Sequence, residues 1–476
     1  MKTGIAKNAA FMTMASVGQK LVAFVYFTLI ARHIGVVGTG KYFFALSFTT
    51  IFVVFVDLGL TNVLVRESAK LKTKIQAYFS TILSVKIVLA GLSYIGVVVL
   101  INIMGYPVET RQLVYLSAVT MLFDSLHLSI YGVLRSIGNL KYEAISIVGS
   151  QAISLVLGTI FLYLDFPIIF LILAFTITSF FNVCYATFVL YKKYQIKLLP
   201  KYDPEIFKYI GKIAIPFALA AIFARVYSYI DSILLSKLAG DIAVGWYAIP
   251  YKITYAFQFV PLALVATMYP RFSEYFAYDK AKLSFIFERG IKYLLIIAIP
   301  IAVGIAILSE DIIIKLYTEE YRASIFPLQI LITSLIFSYL SFPIGAFLNA
   351  CNKQVIQTTI VGVVMVVNII LNLFLIPHYG IVGAASAAFI GNLFLTVFGY
   401  LVVPKITKIS HWFIFKSLLQ ILLSAGVMGL AVWYTNLYTS FFIAIVAGIV
   451  VYALMLYFTR TVTKSQLTEA FELVRK

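Results

Sequence analysis

Charge is scarce in this chain, and negative charge scarcest: 19 Asp and Glu stand beside 37 Lys and Arg in 476 residues. With 62% hydrophobic residues and a mean hydropathy of +1.00, a water-soluble domain with a polar surface is excluded. There are only two cysteines, Cys184 and Cys351, both in apolar helical context, so neither a disulfide framework nor a metal site follows. No small-residue cleavage pattern interrupts the first apolar segment. It begins near Ala9 and runs on as a full span, so it should remain as the first helix. A complete nucleotide-binding motif is also missing. Gly35 to Lys41 approaches the phosphate-binding loop, but Tyr42 stands where a Ser or Thr is needed and no strand precedes it. The glycines are read as a turn between helices, and neither ATP nor any other cofactor or metal is expected.

What is present in abundance is apolar sequence. A bilayer crossing needs about 20 such residues, and fourteen segments qualify, centred near Phe24, Phe48, Leu92, Phe123, Leu155, Ile177, Phe223, Phe257, Ile299, Leu335, Val367, Ala388, Leu422 and Val446. The expected fold is therefore all-α and polytopic. The net charge of +18 does not signal nucleic acid, because the cations follow loop parity: 27 of the 37 fall on alternate segments, chiefly Arg66 to Lys74, Lys192 to Lys212 and Arg271 to Lys292. That is the positive-inside bias, and it places both termini in the cytoplasm.

One offset of 205 residues superimposes Lys20 on Arg225, Arg32 on Lys237, Gly35 on Gly240, Gly40 on Gly245, Tyr42 on Tyr247 and Arg66 on Arg271. Both copies begin on the same side, so two parallel six-helix lobes are expected about a pseudo-two-fold along the membrane normal. Their extents are 1–191 and 207–403, joined by a cytoplasmic linker at 192–206. Residues 404–476 add a helix pair and a tail. Prolines 216, 250, 261, 300 and 343 predict kinks, with Pro216 as a bend that lets its helix rock.

A cation at the bilayer centre costs roughly 2.5–3.5 kcal/mol, so Lys20 and Arg225 need an anionic or aqueous partner. Arg225, Ser228, Tyr229, Ser232 and Ser236 draw one polar line along the seventh span, which should face a cavity. Thr13, Ser16 and Lys20 do the same on the first span. On the fourth, Ser117, Thr120, Asp124, His127, Tyr131 and Arg135 share a face. Lys86 and Lys252 add cations, and Asp231 edges the Arg225 stripe. One reading pairs these charges internally, Lys86 with Asp124 or Arg225 with Asp231, to hold helices in register. The other leaves a cation surplus suited to a phosphate-bearing or carboxylate-bearing substrate such as a polyprenyl diphosphate, with Tyr229 against sugar rings. Asp124 and His127, three residues apart, form the acid and imidazole pair that a proton relay uses; Asp231 is a further coupling candidate. A membrane-embedded glycan polymerase or ligase would want a large outer loop with catalytic groups. The longest here, Ser309 to Arg322, carries none, so no catalytic residue is expected.

Ala31-Arg32-His33-Ile34-Gly35, Gly40-Lys41-Tyr42, Asp57-Leu58-Gly59-Leu60, Arg66-Glu67 and the Arg135 to Lys141 turn together resemble polysaccharide flippases of the Wzx type. These belong to the superfamily that also holds multidrug and toxin extruders and lipid II flippases. The resemblance implies alternating-access transport of a polyprenyl-diphosphate-linked oligosaccharide from the inner to the outer leaflet of a prokaryotic cytoplasmic membrane. It implies Lys20 and Arg225 as cavity cations, with Asp57, Arg66, Arg135 and Arg271 as gate or cytoplasmic-end residues. Expected partners are the lipid-linked glycan, membrane lipids, and the polymerase and glycosyltransferases of the same assembly line, the chain itself being a monomer. A lipid II flippase or a drug antiporter remains the alternative within the superfamily.

Overall fold

A computed structural model describes residues 2–462, the side chains of residues 2–11, 13 and 14 excepted; Thr13 and the tail beyond 462 lie outside that set. Every described element is a helix or a turn. The chain forms two compact units, Met1–Ala248 and Ile249–Lys476. The first holds α1 (Lys2–Asp57), α2 (Leu60–Lys70), α3 (Ile75–Ile103), α4 (Val108–Ile137), α5 (Lys141–Tyr163), α6 (Ile169–Tyr194) and most of α7 (Pro204–Ala256). The second holds the end of α7, then α8 (Phe259–Tyr278), α9 (Lys280–Ile307), α10 (Ser309–Tyr317), α11 (Ile325–Ala350), α12 (Gln354–Val402), α13 (His411–Tyr438) and α14 (Phe441–Phe458).

Among the described residues, eleven segments are long and apolar enough to cross a membrane. The sequence reading gives fourteen, and the difference has a physical origin. Three segments run 43, 75 and 52 residues, far beyond one crossing, because a helix in each continues through a glycine instead of ending in a loop, and the 75-residue one also takes in α8 after a short turn at 257–258. The backbone leaves helical geometry at Gly35 (φ 67°), Gly240 (φ 83°) and Gly380 (φ 54°). Positive φ of this kind is the province of glycine. Gly35 and Gly240 are 205 residues apart and share nearly the same ψ, −176° and −179°. The non-helical residue inside α7 is thus Gly240; Pro216 sits within the helix.

In the first unit, small polar side chains pack between helices beside a buried apolar cluster that includes Leu64, Phe79, Leu134 and Leu190, and they let backbones approach and satisfy one another. Thr49 and Ser117 share a hydrogen bond of 2.7 Å between α1 and α4, as do Thr120 and Thr176 between α4 and α6. The boundary between the two compact units falls inside α7, while residues 192–206 join α6 to α7. That linker is fastened to α3: the Gln76 side chain accepts from Lys197 N at 2.9 Å and donates to Lys197 O at 3.0 Å, and Lys201 N donates to Ser80 O at 3.3 Å.

The second unit has an aromatic core. Phe272, Phe287 and Phe347 meet with ring centroids 5.3 and 4.9 Å apart across α8, α9 and α11. In the turn between α7 and α8 the Phe257 carbonyl accepts a long 3.3 Å bond from Val260 N, and Tyr339 Oη donates to it at 2.6 Å. Broken backbone at membrane depth demands such a partner. The helix pair α13–α14 packs on α9, where Tyr452 Oη donates to Ile296 O at 2.7 Å. On the same unit, Asp311 of α10 pairs with Lys315 at 2.6 Å and accepts from Asn436 of α13 at 2.6 Å.

Candidate functional site

Three buried or half-buried polar assemblies occupy the first unit, and they separate the sequence-predicted residues sharply. The first centres on Lys86 of α3, which is 3% exposed. Its ammonium pairs with Asp57 Oδ1 at 2.6 Å and donates to Ser129 Oγ at 2.5 Å, Ser125 O at 2.9 Å and Thr61 Oγ1 at 3.2 Å. The expected partner was Asp124; the actual one is Asp57. Lys86 is therefore spent on joining α1, α2, α3 and α4, and it offers no donor to a ligand. Asp57 also accepts from Thr61 N at 3.3 Å and from the Thr61 hydroxyl, which fixes the corner into α2. That corner is tight, with Leu58 at φ 42° and Gly59 at φ 75°.

The second assembly is the polar face of α4. Most of it is consumed by helix pairing and does not line an open cavity. Ser117 and Thr120 bond across helices as above, and Tyr131 donates to Ser146, which donates to Asn182 Oδ1 at 2.5 Å. Arg135 makes a two-pronged bond to Glu143, with Nε to Oε2 at 2.8 Å. This clamps the α4–α5 turn, whose Gly138 adopts φ 86°. Asp124 is different. Its side chain is 41% exposed, it accepts from Ser179 Oγ at 2.5 Å, and its Oδ1 lies 3.7 Å from His127 Nδ1, a buried nitrogen without a hydrogen-bond partner.

The third is the α7 stripe. It divides along its length. Arg225 and Ser228 are exposed, while Ser232 and Ser236 are buried. Ser236 accepts from Tyr106 Oη of the α3–α4 turn at 3.0 Å, and Lys237 Nζ donates to Met104 O in that turn at 2.7 Å. Asp231 is 6% exposed and accepts from Tyr247 Oη, on α7 beyond the kink, at 3.1 Å. Among the described residues Arg225 has no carboxylate at ion-pair distance. Lys20 on α1, Tyr229 on α7 and Lys252 beyond the kink are half-buried. Arg271 is exposed on α8, and Arg66, exposed on α2, lies 3.5 Å from Glu67.

Glu67 enters the sequence reading only within the Arg66-Glu67 motif and with no role of its own. It is 2% exposed, and it accepts from Lys70 Nζ at 2.8 Å and from Tyr209 Oη of α7 at 2.9 Å. Burial raises its carboxyl pKa, but the bonds from Lys70 and Tyr209 and the charges of Lys70 and Arg66 outweigh this and hold it below the usual range. The available signal was its place on the apolar face of α2, with Leu60, Val63, Leu64 and Ser68.

In the second unit, an open cleft of about 410 Å³ between α11 and α12 is lined by Gln329, Thr333 and Ser386 beside Ile330, Phe389 and Ile390. Its hydrogen-bonding groups are neutral, in contrast to the cations of the first unit.

Among known proteins, the chain is 25% identical over 385 residues to the capsular polysaccharide biosynthesis protein CapF of Staphylococcus aureus, covering 80% of this chain and 94% of that one. It is 27% identical over 183 residues to the probable flippase AglR of Haloferax volcanii, 38% of each chain. Among solved structures, the fold is similar to the lipid II flippase MurJ in an inward closed conformation, with a TM-score of 0.77, 19% identity, and coverage of 94% of this chain and 98% of that one. It is also similar to an inward-facing multidrug resistance MATE family transporter, with a TM-score of 0.65, 14% identity, and coverage of 82% and 95%. These two likenesses concern the fold alone. A model of the MatE family matches residues 216–374, and one described as polysaccharide biosynthesis protein matches residues 5–276. Since the latter spans more than half of the sequence, the chain belongs to the polysaccharide biosynthesis protein family.

Proposed function

We propose that this multi-pass membrane protein is a flippase that carries a polyprenyl-diphosphate-linked oligosaccharide from the cytoplasmic to the outer leaflet by alternating access. The observation that carries the reading is Arg225: an exposed guanidinium partway along an apolar helix, with no carboxylate at ion-pair distance among the described residues. Such a group binds phosphate oxygens in pairs, and partway along an apolar span it is costly unless water or an anion meets it. Lys20, at the duplicate position on α1, is the second cation, with Tyr229 and Lys252 as further contacts. Lys86 is left out, being committed to Asp57.

In this reading the lysine-rich segments face the cytoplasm of a prokaryotic cell, both termini included, and the two halves act as parallel lobes in a monomer. Asp124 with His127 is the coupling candidate, with Asp231 secondary, and Arg66 and Arg271 lie at the cytoplasmic ends. The similarity to a capsular polysaccharide biosynthesis protein and to a probable flippase supports the glycan. A lipid II substrate is the second reading, favoured by the fold likeness to MurJ.

Depletion of the protein in its host tests this. Build-up of a lipid-linked oligosaccharide at the inner leaflet is expected; accumulation of lipid II selects the second reading. Sensitivity to cationic dyes without either build-up would refute both, as would an altered glycan chain length with translocation intact.

A further inference from the structure

We infer that α2 is the plate on which α7 is held, and that Glu67 is a positioning residue whose bond to Tyr209 must break for α7 to move. This goes beyond the flippase reading, and only the transport arm of its test rests on that reading. Three attachments tie the start of α7 to the first unit. The linker reaches Pro204 already fastened to α3 through Gln76 and Ser80. Tyr209 Oη donates to Glu67 Oε2 at 2.9 Å. Two turns further on, α7 presses its backbone onto Gly59, so that a Cβ there would come within 2.6 Å of Phe217 Cβ and 3.1 Å of Ala218 N.

The plate itself is immobilised from the other side. Asp57, held by Lys86 and Thr61, fixes the left-handed corner at Leu58 and Gly59 from which α2 departs. The start of α7 is held by that neutral hydroxyl on a carboxylate, by the close approach at Gly59, and by Ile210 and Ala214, which share one buried apolar cluster with Leu60, Val63 and Leu64 of α2. Apolar packing can slide, whereas the bond from Tyr209 to Glu67 is directional and fixes one register of α7 on α2.

The repeat makes the choice of residue informative. With the 205-residue offset, Arg66 falls on Arg271 and Glu67 on Phe272. Phe272 is fully buried in the aromatic core of the second unit. The same buried position is thus apolar in one copy and a carboxylate in the other. Burying a carboxylate where a phenyl ring would pack is costly unless its bonds serve a purpose. Lys70 and Arg66 keep Glu67 charged, and Tyr209 is the partner from α7.

The test uses full-length protein in inverted vesicles with Cys184→Ser, the buried Cys351 being retained. Ile210→Cys, at a position buried in the cluster shared with α2, is labelled with a membrane-impermeant maleimide. Tyr209→Phe and Glu67→Gln should each speed labelling several-fold, as α7 leaves Gly59; unchanged rates in Tyr209→Phe overturn the inference, even if Glu67→Gln merely lowers abundance. In a second arm, Glu67→Cys with Tyr209→Cys is bridged by a reducible bis-methanethiosulfonate. Transport should stop and return on reduction, and transport at the unbridged rate overturns the inference. Faster labelling with no glycan transport in any form supports the latch and sinks the flippase reading instead.

Discussion

Gly40 and Gly245 make one contact twice. A Cβ on Gly40 would collide with the Asp241 carbonyl oxygen, and a Cβ on Gly245 with the Val36 carbonyl oxygen. Val36 and Asp241 are themselves 205 residues apart, as are the two glycines. Each limb therefore offers its glycine to the other's backbone, the reciprocity of a two-fold contact. The glycines of the false phosphate loop thus have two structural duties: Gly35 and Gly240 turn the chain, and Gly40 and Gly245 let α1 and α7 touch.

Gly40→Ala and Gly245→Ala should each destabilise by on the order of 1–3 kcal/mol, because backbone cannot yield as a side chain can. Gly91→Ala is the control, since nothing lies within 4 Å of a Cβ there. Thermal unfolding in detergent should show a drop of several degrees for the first two and none for the third.

Lys86→Met should cost about 3–5 kcal/mol, the range for breaking a buried pair, and Asp57→Asn a comparable amount, since it strands the Lys86 ammonium. The double variant should recover much of the loss. If transport fell with stability intact in Lys86→Met, a substrate role for Lys86 would replace the structural one.

Arg225→Ala and Lys20→Ala should abolish surface glycan display while leaving abundance in the membrane unchanged. Arg225→Lys should retain part of the activity, as a point charge replaces a two-pronged donor. Immunodetection of glycan beside quantified protein separates binding from folding; normal display in both alanine variants removes these residues from the site.

Asp311 predicts a pH response in the second unit. Burial raises its carboxyl pKa, but bonds from Lys315 and Asn436 and the Lys315 charge prevail and hold it below the usual range. A depressed carboxylate stabilises above its ordinary value and loses that contribution as pH falls through the depressed one. Protection of the α10 amides, relative to their intrinsic exchange rate at each pH, should stay high at neutral pH and fall only in acid, whereas Asp311→Asn should show low protection at both.

Membrane helices, their all-α class and the family were legible because hydropathy and the motifs near Ala31, Asp57 and Arg135 are local properties of the chain. The 205-residue spacing is visible in the sequence as pairs of identical or like residues, and Gly35 and Gly240 on that spacing share one backbone conformation.

Helical periodicity places Lys86, Asp124 and the α4 stripe on faces, yet it carries no information on which helix stands opposite. Lys86 meets Asp57 because α2 turns back beneath α3, and Glu67 meets Tyr209 because a fastened linker delivers α7 there. Such pairings depend on long-range packing between segments more than 100 residues apart in the second case. Hydrophobic pattern suffices to make a membrane helix, because lipid tests each residue singly. Deciding whether a buried charge is a strut or an open hand takes the neighbours that only the folded chain supplies.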